Sequence, residues 1–214
     1  MREAIDRYQQ EGDSIGGSVY FECRGVPRGL GAPRFDSFPA RLGQAMFSIP
    51  ATTAVEYGLG REARSVRGID RNENWEFDDG SRDEVVSEEG DPVPVGNDHG
   101  GLQGGITTGD PIYGEVSWHA PVSIPKSQET VDWETGERKE ITVVGRHDPS
   151  LPPRAVPVVE AMLRVTILDF MLLGGRINPD RIDDRPGEYD TGYHPSSPET
   201  DPDDAETSAE TLDE

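Results

Sequence analysis

The 214-residue chain carries 42 Asp and Glu residues against 20 Lys and Arg, which gives a formal net charge of −22. The apolar share is about 42% when glycine is counted and tyrosine is not, which suffices for one core and excludes wholesale disorder. The length allows one domain, or one domain with a tail. So much negative charge disfavours nucleic acid and anionic membrane surfaces as partners, because both would repel it.

The basic residues show a strong bias. Only Lys126 and Lys139 are lysines, and all the other basic residues are arginines. An acid-rich, lysine-poor surface keeps a protein hydrated in molar salt, where a Debye length of about 3 Å screens the self-repulsion. We therefore expect a protein from a halophile, with an ordinary acidic protein as the alternative.

Cysteine content and the first residues indicate the compartment. The single cysteine, Cys23, cannot form an internal disulfide and fits a reducing environment. Residues 1–10 lack the apolar core of a signal peptide, and no apolar run is long enough to span a membrane. We expect a cytoplasmic protein.

The spacing of apolar residues predicts the secondary structure. We predict helices over residues 1–10, 39–48 and 155–173, strands over 18–24, 52–57 and 111–119, and a hairpin of residues 130–133 and 139–144. Asp36 or Ser37 is the expected cap of the second helix. The third helix is apolar around most of its circumference, which predicts that it is buried, and Gly174 and Gly175 end it. The predicted class is α+β, with an antiparallel or mixed sheet.

Two segments are poor in apolar residues. Residues 68–96 are polar, with Trp75 and Phe77 as the expected anchors. Residues 187–214 hold ten Asp or Glu and neither Lys nor Arg, and such a segment cannot bury enough surface to offset its ordering entropy. We therefore predict a folded region over residues 1–180 and a disordered acidic tail over residues 181–214.

A glycine-rich segment is the first candidate site. Residues 97–109 contain five glycines, which permit close backbone approach to a flat or anionic ligand and free several N–H donors. The segment matches neither the Walker A pattern nor the dinucleotide fingerprint. An ordinary surface loop is the alternative.

The sequence Gly-Arg-His-Asp-Pro-Ser at residues 145–150 is the second candidate. It precedes the predicted buried helix, whose N-terminal end favours anions. Arg146 can donate to a phosphate or a carbonyl group, and Asp148 can accept or move a proton. In the structural alternative, Asp148 and Ser150 cap the helix while Arg146 pairs with a surface acid.

The histidines do not point to a metal. The four of them show no i,i+4 pair and have no cysteine partners, so we expect no metal site. His119 opens the third candidate segment, an extended turn over residues 119–125. A Ser-His-Asp triad stays open, although no Gly-x-Ser-x-Gly pattern supports one.

A series of motifs, taken in order, carries a family resemblance. They are Gly-Asp-Ser-Ile-Gly-Gly at 12–17, Val-Pro-Arg-Gly-Leu-Gly at 26–31, Phe-Asp at 35–36, Met-Phe-Ser-Ile-Pro-Ala at 46–51, Val-Glu at 55–56 and His-Gly-Gly-Leu-Gln-Gly-Gly-Ile at 99–106. The clearest motif is residues 145–150, followed by Arg-Ala-Val-Pro at 154–157 and Glu-Ala-Met at 160–162. From about residue 11 to 180 the chain resembles the C-terminal half of chorismate synthase, with residues 68–96 as a family-specific insertion.

The resemblance implies an activity and a fold. The family removes phosphate and a hydrogen from 5-enolpyruvylshikimate 3-phosphate in a 1,4-anti elimination, which gives chorismate for aromatic amino acid biosynthesis. This carbon–oxygen lyase needs reduced FMN without net redox change, and NADPH is one candidate reductant. The family forms homotetramers with a β-α-β sandwich in each subunit, of which this chain would be half.

The resemblance also implies the site residues. Asp148 matches the family's acid near flavin N5, which takes or relays a proton. Arg146 matches the flavin-binding arginine, Gly104 the glycine that lies against the flavin, and Ala51 the second residue of a helix-end pair that reads Asn-Ala in the family and Pro-Ala here. The family's Lys-Pro-Thr-Ser-Ser flavin strip corresponds to His119, Ala120, Pro121, Val122 and Ser123.

The family's N-terminal half has no counterpart in these residues. That half carries a Gly-Asp-Ser-His motif, a Ser-x-Arg flavin segment, both catalytic histidines and several arginines for the substrate phosphate. We therefore expect a fragment, a misassigned start or one half of a split enzyme, inactive by itself. The alternatives are a non-catalytic flavin-binding or assembly subunit that works with a separate N-terminal chain, and a truncated product that folds poorly.

Overall fold

A computed structural model describes residues 1–32, 34–82 and 85–177, so the predicted tail at 181–214 and the boundary at 180 lie outside the described residues. The helices are α1 (Arg2–Gln10), α2 (Phe38–Phe47), α3 (Gly68–Arg71) and α4 (Pro152–Leu173). The strands are β1 (Gly17–Cys23), β2 (Thr52–Tyr57), β3 (Trp75–Phe77), β4 (Pro92–Pro94), β5 (Leu102–Gln103), β6 (Ile106–Thr107), β7 (Ile112–Trp118), β8 (Ser127–Val131) and β9 (Arg138–Thr142).

The main sheet has three antiparallel strands in the order β1-β7-β2. Alternate residues of β1 and β7 are buried on one face, as their spacing predicts. Opposite Phe21 in the register stands Gly114. A Cβ on Gly114 would collide with the carbonyl oxygen of Glu56 and lie 2.6 Å from Cζ of Phe21, so only glycine fits between the neighbouring strands.

Helices α2 and α4 cover the buried face of this sheet and complete the core. Phe38 of α2 stacks on Phe170 of α4, with ring centroids 5.1 Å apart. Ile112, Val116 and Trp118 of β7 are buried beneath the two helices. The predicted α+β class and antiparallel sheet are confirmed. One sheet layer under one helix layer is half of a β-α-β sandwich, as expected.

Helix α4 differs from the prediction on one of its two faces. The inward face is buried, through Pro152, Ala155, Val159, Leu163, Thr166, Ile167 and Phe170. On the outward face, Val158, Val165 and Leu168 are 42%, 61% and 47% exposed. The prediction of an all-round buried helix is therefore wrong for these residues, because they lie on the side of α4 that is turned away from the sheet. No helix in the described part of the chain is long and apolar enough to cross a membrane.

The described residues also form three two-stranded antiparallel sheets. The pair β8 and β9 confirms the predicted hairpin, with Val131 opposite Arg138. The pair β3 and β4 lies within residues 68–96. Trp75 and Phe77 do not anchor that segment, since they are 48% and 76% exposed. Val93 of this segment is fully buried instead, and the guanidinium of Arg82 lies 3.1 Å from the buried carboxylate of Asp110.

Candidate functional site

One end of the main sheet gathers most of the predicted site residues. In the register, Trp118 at the end of β7 faces both Gly17 at the start of β1 and Thr52 at the start of β2. Because the strands are antiparallel, Ala51 and His119 extend from the same sheet end. Ala51 adopts a left-handed backbone, with a φ of 64°.

Hydrogen bonds tie two further segments to this sheet end. The Ser14 hydroxyl donates to the carbonyl oxygen of Pro121 at 2.5 Å, which holds the strip at residues 119–123. The backbone N–H of Ile15 donates to the carbonyl oxygen of Pro149 at 2.8 Å, which holds the loop at residues 145–150. Residues 12–17 therefore join the two segments that the sequence predicts separately.

A cavity of about 670 Å³ opens beside these contacts. Its lining comprises Gln9, Gly12, Asp13, Ile124, Pro125, Gly145, Arg146, His147, Asp148, Pro149 and Arg154. The structure thus brings Arg146 and Asp148 together in one cavity. Among the described residues, Arg146 has neither an ion-pair nor a hydrogen-bond partner, so its guanidinium is available to an anion. Across residues 1–32, 34–82 and 85–177, no surface acid pairs with Arg146, unlike in the structural alternative.

The Asp148 carboxylate pairs with an arginine of α4. Its Oδ2 lies 2.8 Å from Nη1 of Arg154. Within the described residues no side chain caps α4, because the helix begins with Pro152 and Pro153, which have no N–H to satisfy. The next two N–H groups, of Arg154 and Ala155, donate to the carbonyl oxygen of Leu151. The capping alternative for Asp148 is therefore wrong.

The second acid in the cavity is engaged by a lysine. Nζ of Lys126 lies 2.6 Å from Oδ2 of Asp13. This hydrogen bond, with a second one from the backbone N–H of Ser14, holds the pKa of Asp13 below its ordinary value. The Lys126–Asp13 ion pair also links the turn at Gly12 to residues 124–126, which follow the strip at residues 119–123.

The strip at residues 119–123 lies outside the strands, and its two ends are exposed. Nδ1 of His119 donates to the carbonyl oxygen of Ala120 at 2.7 Å, which occupies one ring nitrogen locally. The side chain of Val122 is 72% exposed, and Ser123 is exposed as well. The strip therefore offers backbone groups and one hydroxyl to a ligand at the sheet end.

Gly104 lies elsewhere in the chain's own fold. It forms the turn between β5 and β6 with a φ of +62°, and a Cβ there would meet nothing within 4 Å. The next residue, Gly105, accepts a hydrogen bond from the backbone N–H of Phe38 at the start of α2. Ala51 follows the other end of this helix, which is about 15 Å long at ten residues. Gly104 is thus not brought together with the cavity.

Besides Gln9 of α1, three lining residues lie outside the predicted candidate segments: Gly12, Asp13 and Arg154. Their signal is present in the sequence, since the first two open the motif at 12–17 and the third opens the motif at 154–157. The sequence does not show that the folded chain places all three residues in the cavity that residues 145–149 line.

The described histidines have local partners. Nε2 of His99 lies 3.3 Å from Oε2 of Glu73, and Nε2 of His147 lies 3.3 Å from the carbonyl oxygen of Val143. His194 lies outside the described residues. In the described part of the chain, no group of three or more His, Cys, Asp or Glu side chains is placed to hold a metal ion.

Comparison with known proteins gives one consistent family. A family model for chorismate synthase matches residues 1–172. The chorismate synthase of Haloarcula marismortui is 74% identical over 214 residues, which cover 100% of this chain and 51% of that protein. The chorismate synthase of Halobacterium salinarum is 78% identical over 198 residues, covering 92% of this chain and 50% of that protein.

More distant relatives agree. The chorismate synthase of Methanosarcina mazei is 44% identical over 179 residues, covering 84% of this chain and 46% of that protein. A crystal structure of a chorismate synthase superposes with a TM-score of 0.58 at 28% identity, covering 80% of this chain and 40% of that chain. The chain spans about half the length of the curated relatives it matches.

Proposed function

The chain belongs to the chorismate synthase family of lyases, and from this premise we propose that it forms the flavin- and phosphate-binding part of a chorismate synthase. The proposed reaction is the 1,4-anti elimination of phosphate from 5-enolpyruvylshikimate 3-phosphate, with reduced FMN as the cofactor. The observation that carries the proposal is the meeting in one cavity of the Asp148 carboxylate and of Arg146, which pairs with no residue in the described part of the chain.

The cavity suits a large anionic ligand in size and charge. About 670 Å³ lies within the range of small-molecule and cofactor sites, which is about 300–1,000 Å³. A chain with a net charge of −22 repels phosphates over most of its surface, so a guanidinium in a concave site that no described residue engages is a specific attraction. These features fit the phosphate and the polar ring edge of FMN.

We propose that Arg146 binds FMN, and that Ala51 and the strip at residues 119–123 contact it from the sheet end. Gly104 keeps its proposed flavin contact only if a further part of the protein, or a second copy, brings its hairpin to the flavin. Reduced FMN, when bound, supplies electron density that helps to expel the phosphate. Asp148 holds or moves a proton in the cavity, which general acid–base chemistry requires.

We further propose that the complete enzyme is a cytoplasmic homotetramer adapted to high salt, with NADPH as one candidate reductant. The exposed apolar residues of α4 support packing against further protein, since exposed apolar surface of this kind marks an interaction site. The lysine-poor, acid-rich composition supports the adaptation to salt.

The experiment compares two proteins in molar KCl. One is the 214-residue chain. The other, the completed protein, joins this chain to the part of the Haloarcula marismortui chorismate synthase that it does not match. We expect the completed protein to form chorismate from 5-enolpyruvylshikimate 3-phosphate with reduced FMN under anaerobic conditions, and the 214-residue chain to form none at enzyme rates.

A fluorescence titration of FMN gives the second readout. We expect Arg146→Ala in the completed protein to weaken FMN binding, while Arg41→Ala, which breaks an exposed ion pair with Asp36, leaves it unchanged. Binding of FMN without turnover by the completed protein would favour the alternative of a non-catalytic flavin-binding subunit. If the completed protein neither binds FMN nor forms chorismate, the proposed function is contradicted.

A further inference from the structure

We propose that Arg154 is a positioning residue that holds the Asp148 carboxylate in the cavity, an inference that rests on the proposed function. The two side chains come from different segments, since Asp148 belongs to the loop before α4 and Arg154 to its first turn. Nη1 of Arg154 lies 2.8 Å from Oδ2 of Asp148, and both residues line the cavity.

The position of Arg154 is not explained by the stability of α4. A cation in the first turn of a helix opposes the helix dipole, which favours acidic residues there. α4 has no acidic residue in its first turn, so Arg154 finds no compensating neighbour within the turn itself. Its partner is the Asp148 carboxylate, so Arg154 is placed to orient the loop before α4 and not to stabilise the helix.

The pair also contributes little to the fold. The side chains of Arg154 and Asp148 are 74% and 36% exposed. Exposed ion pairs add little to stability because solvent screens them and ordering two side chains costs entropy. Loss of the pair should therefore leave the chain folded and free the carboxylate to rotate away from the position it needs for proton transfer.

The chain offers a matched control on the same helix. Arg164 is 75% exposed and pairs with Glu160 at 2.5 Å, three turns further along α4 and away from the cavity lining. Arg164→Ala removes the same kind of side chain and the same kind of ion pair. Any difference in kcat between Arg154→Ala and Arg164→Ala is therefore due to the place of Arg154 beside Asp148, and not to the loss of an exposed arginine as such.

The test uses the completed protein and its Arg154→Ala, Arg154→Lys, Arg164→Ala, Asp148→Asn and Arg154→Ala/Asp148→Asn variants. We expect Arg154→Ala to lower kcat by about tenfold to hundredfold, as misplaced catalytic groups do. The KM for the substrate and the Kd for FMN should stay within a factor of about three, and Arg154→Lys should recover part of the lost kcat. The double variant should be no slower than Asp148→Asn, because Arg154 acts through that carboxylate.

Three results would overturn the inference. They are a kcat for Arg154→Ala equal to that of Arg164→Ala, multiplicative losses in the double variant, and a weakened Kd for FMN with unchanged kcat, which would make Arg154 a ligand-binding group. A parent protein that neither binds FMN nor forms chorismate would instead overturn the proposed function, and with it the premise of this inference.

Discussion

The Gly16 Cα hydrogen that faces β7 points at the carbonyl oxygen of Trp118. A Cβ in its place would lie 2.7 Å from that oxygen and 3.1 Å from the backbone nitrogen of Ala120. Both neighbours are backbone atoms, so no side-chain rotation can make room. This contact sets how closely residues 12–17 approach the strip at residues 119–123, and hence the shape of the sheet end beside the cavity.

We predict that Gly16→Ala destabilises the chain by about 1–3 kcal/mol, the usual cost of overpacking. In the completed protein it should also weaken FMN binding, because the strip must move. The control is Gly43→Ala in α2, where a Cβ would meet nothing within 4 Å and alanine favours the helix. Denaturant unfolding and an FMN titration measure the two effects. A Gly16→Ala variant as stable as Gly43→Ala would contradict the prediction.

We predict that Asp148→Asn in the completed protein lowers kcat by about 10²–10⁴-fold, because an amide cannot accept the proton. Folding and FMN affinity should stay near normal, since the carboxylate caps no helix and its ion pair is largely exposed. The control is Glu160→Gln, which breaks the ion pair with Arg164. A kcat within a factor of about three of the parent, far short of a general acid–base contribution, would assign Asp148 a structural role.

The folded state should depend on salt. A net charge of −22 produces self-repulsion that is screened only when the Debye length is short, at about 3 Å in 1 M salt. We predict that the 214-residue chain loses its folded circular dichroism signal as KCl falls from molar to millimolar concentration. Sucrose at matched viscosity serves as the uncharged control. A full folded signal in low salt would favour the ordinary acidic protein.

Asp110 should make stability depend on pH. Burial raises the pKa of its carboxyl above the ordinary 3.8, against hydrogen bonds from Thr108 and Arg82. The folded chain therefore holds this proton more tightly than the unfolded chain, so the contribution is full below about pH 3.8 and falls as pH rises through the raised pKa. We predict that the destabilisation caused by Asp110→Asn is larger at pH 4 than at pH 7, as measured by denaturant unfolding in molar KCl.

The opposite trend for Asp110→Asn, a cost that grows with pH, would show that the ionised carboxylate paired with Arg82 is the stabilising form. Asp91→Asn provides the comparison, since it removes a carboxylate that is 45% exposed and lies 3.4 Å from Arg28.

The two faces of α4 should respond differently to the same substitution. Leu163 is 4% exposed and Leu168 is 47% exposed. We predict that Leu163→Ala costs about 2–5 kcal/mol in the free energy of unfolding of the 214-residue chain, as in other cores. Leu168→Ala should stay within about 0.5 kcal/mol, the usual range for surface positions. Equal costs would show that the outward face is covered in the chain's own assembly.

The local elements of this protein follow from its sequence. The apolar spacing predicts β2 at residues 52–57, where the structure has it, and places β1, β7 and the second helix within one or two residues of their bounds. Such periods are local, since a strand repeats every two residues and a helix every 3.6. The motif at residues 145–150 likewise indicates the family by itself, because its residues are contiguous.

Contacts between distant segments are decided by the tertiary structure alone. The meeting of Ala51 and His119 depends on the strand order β1-β7-β2, and the pairing of Asp148 with Arg154 depends on two prolines that remove the N–H groups a carboxylate would cap. For the same reason, the sequence shows that α4 is apolar around most of its circumference but not which face the sheet covers. The apolar pattern of the sequence indicates which side chains avoid water. Which strands pair, which helix face is covered and which residues line a cavity depend on residues far apart in the chain.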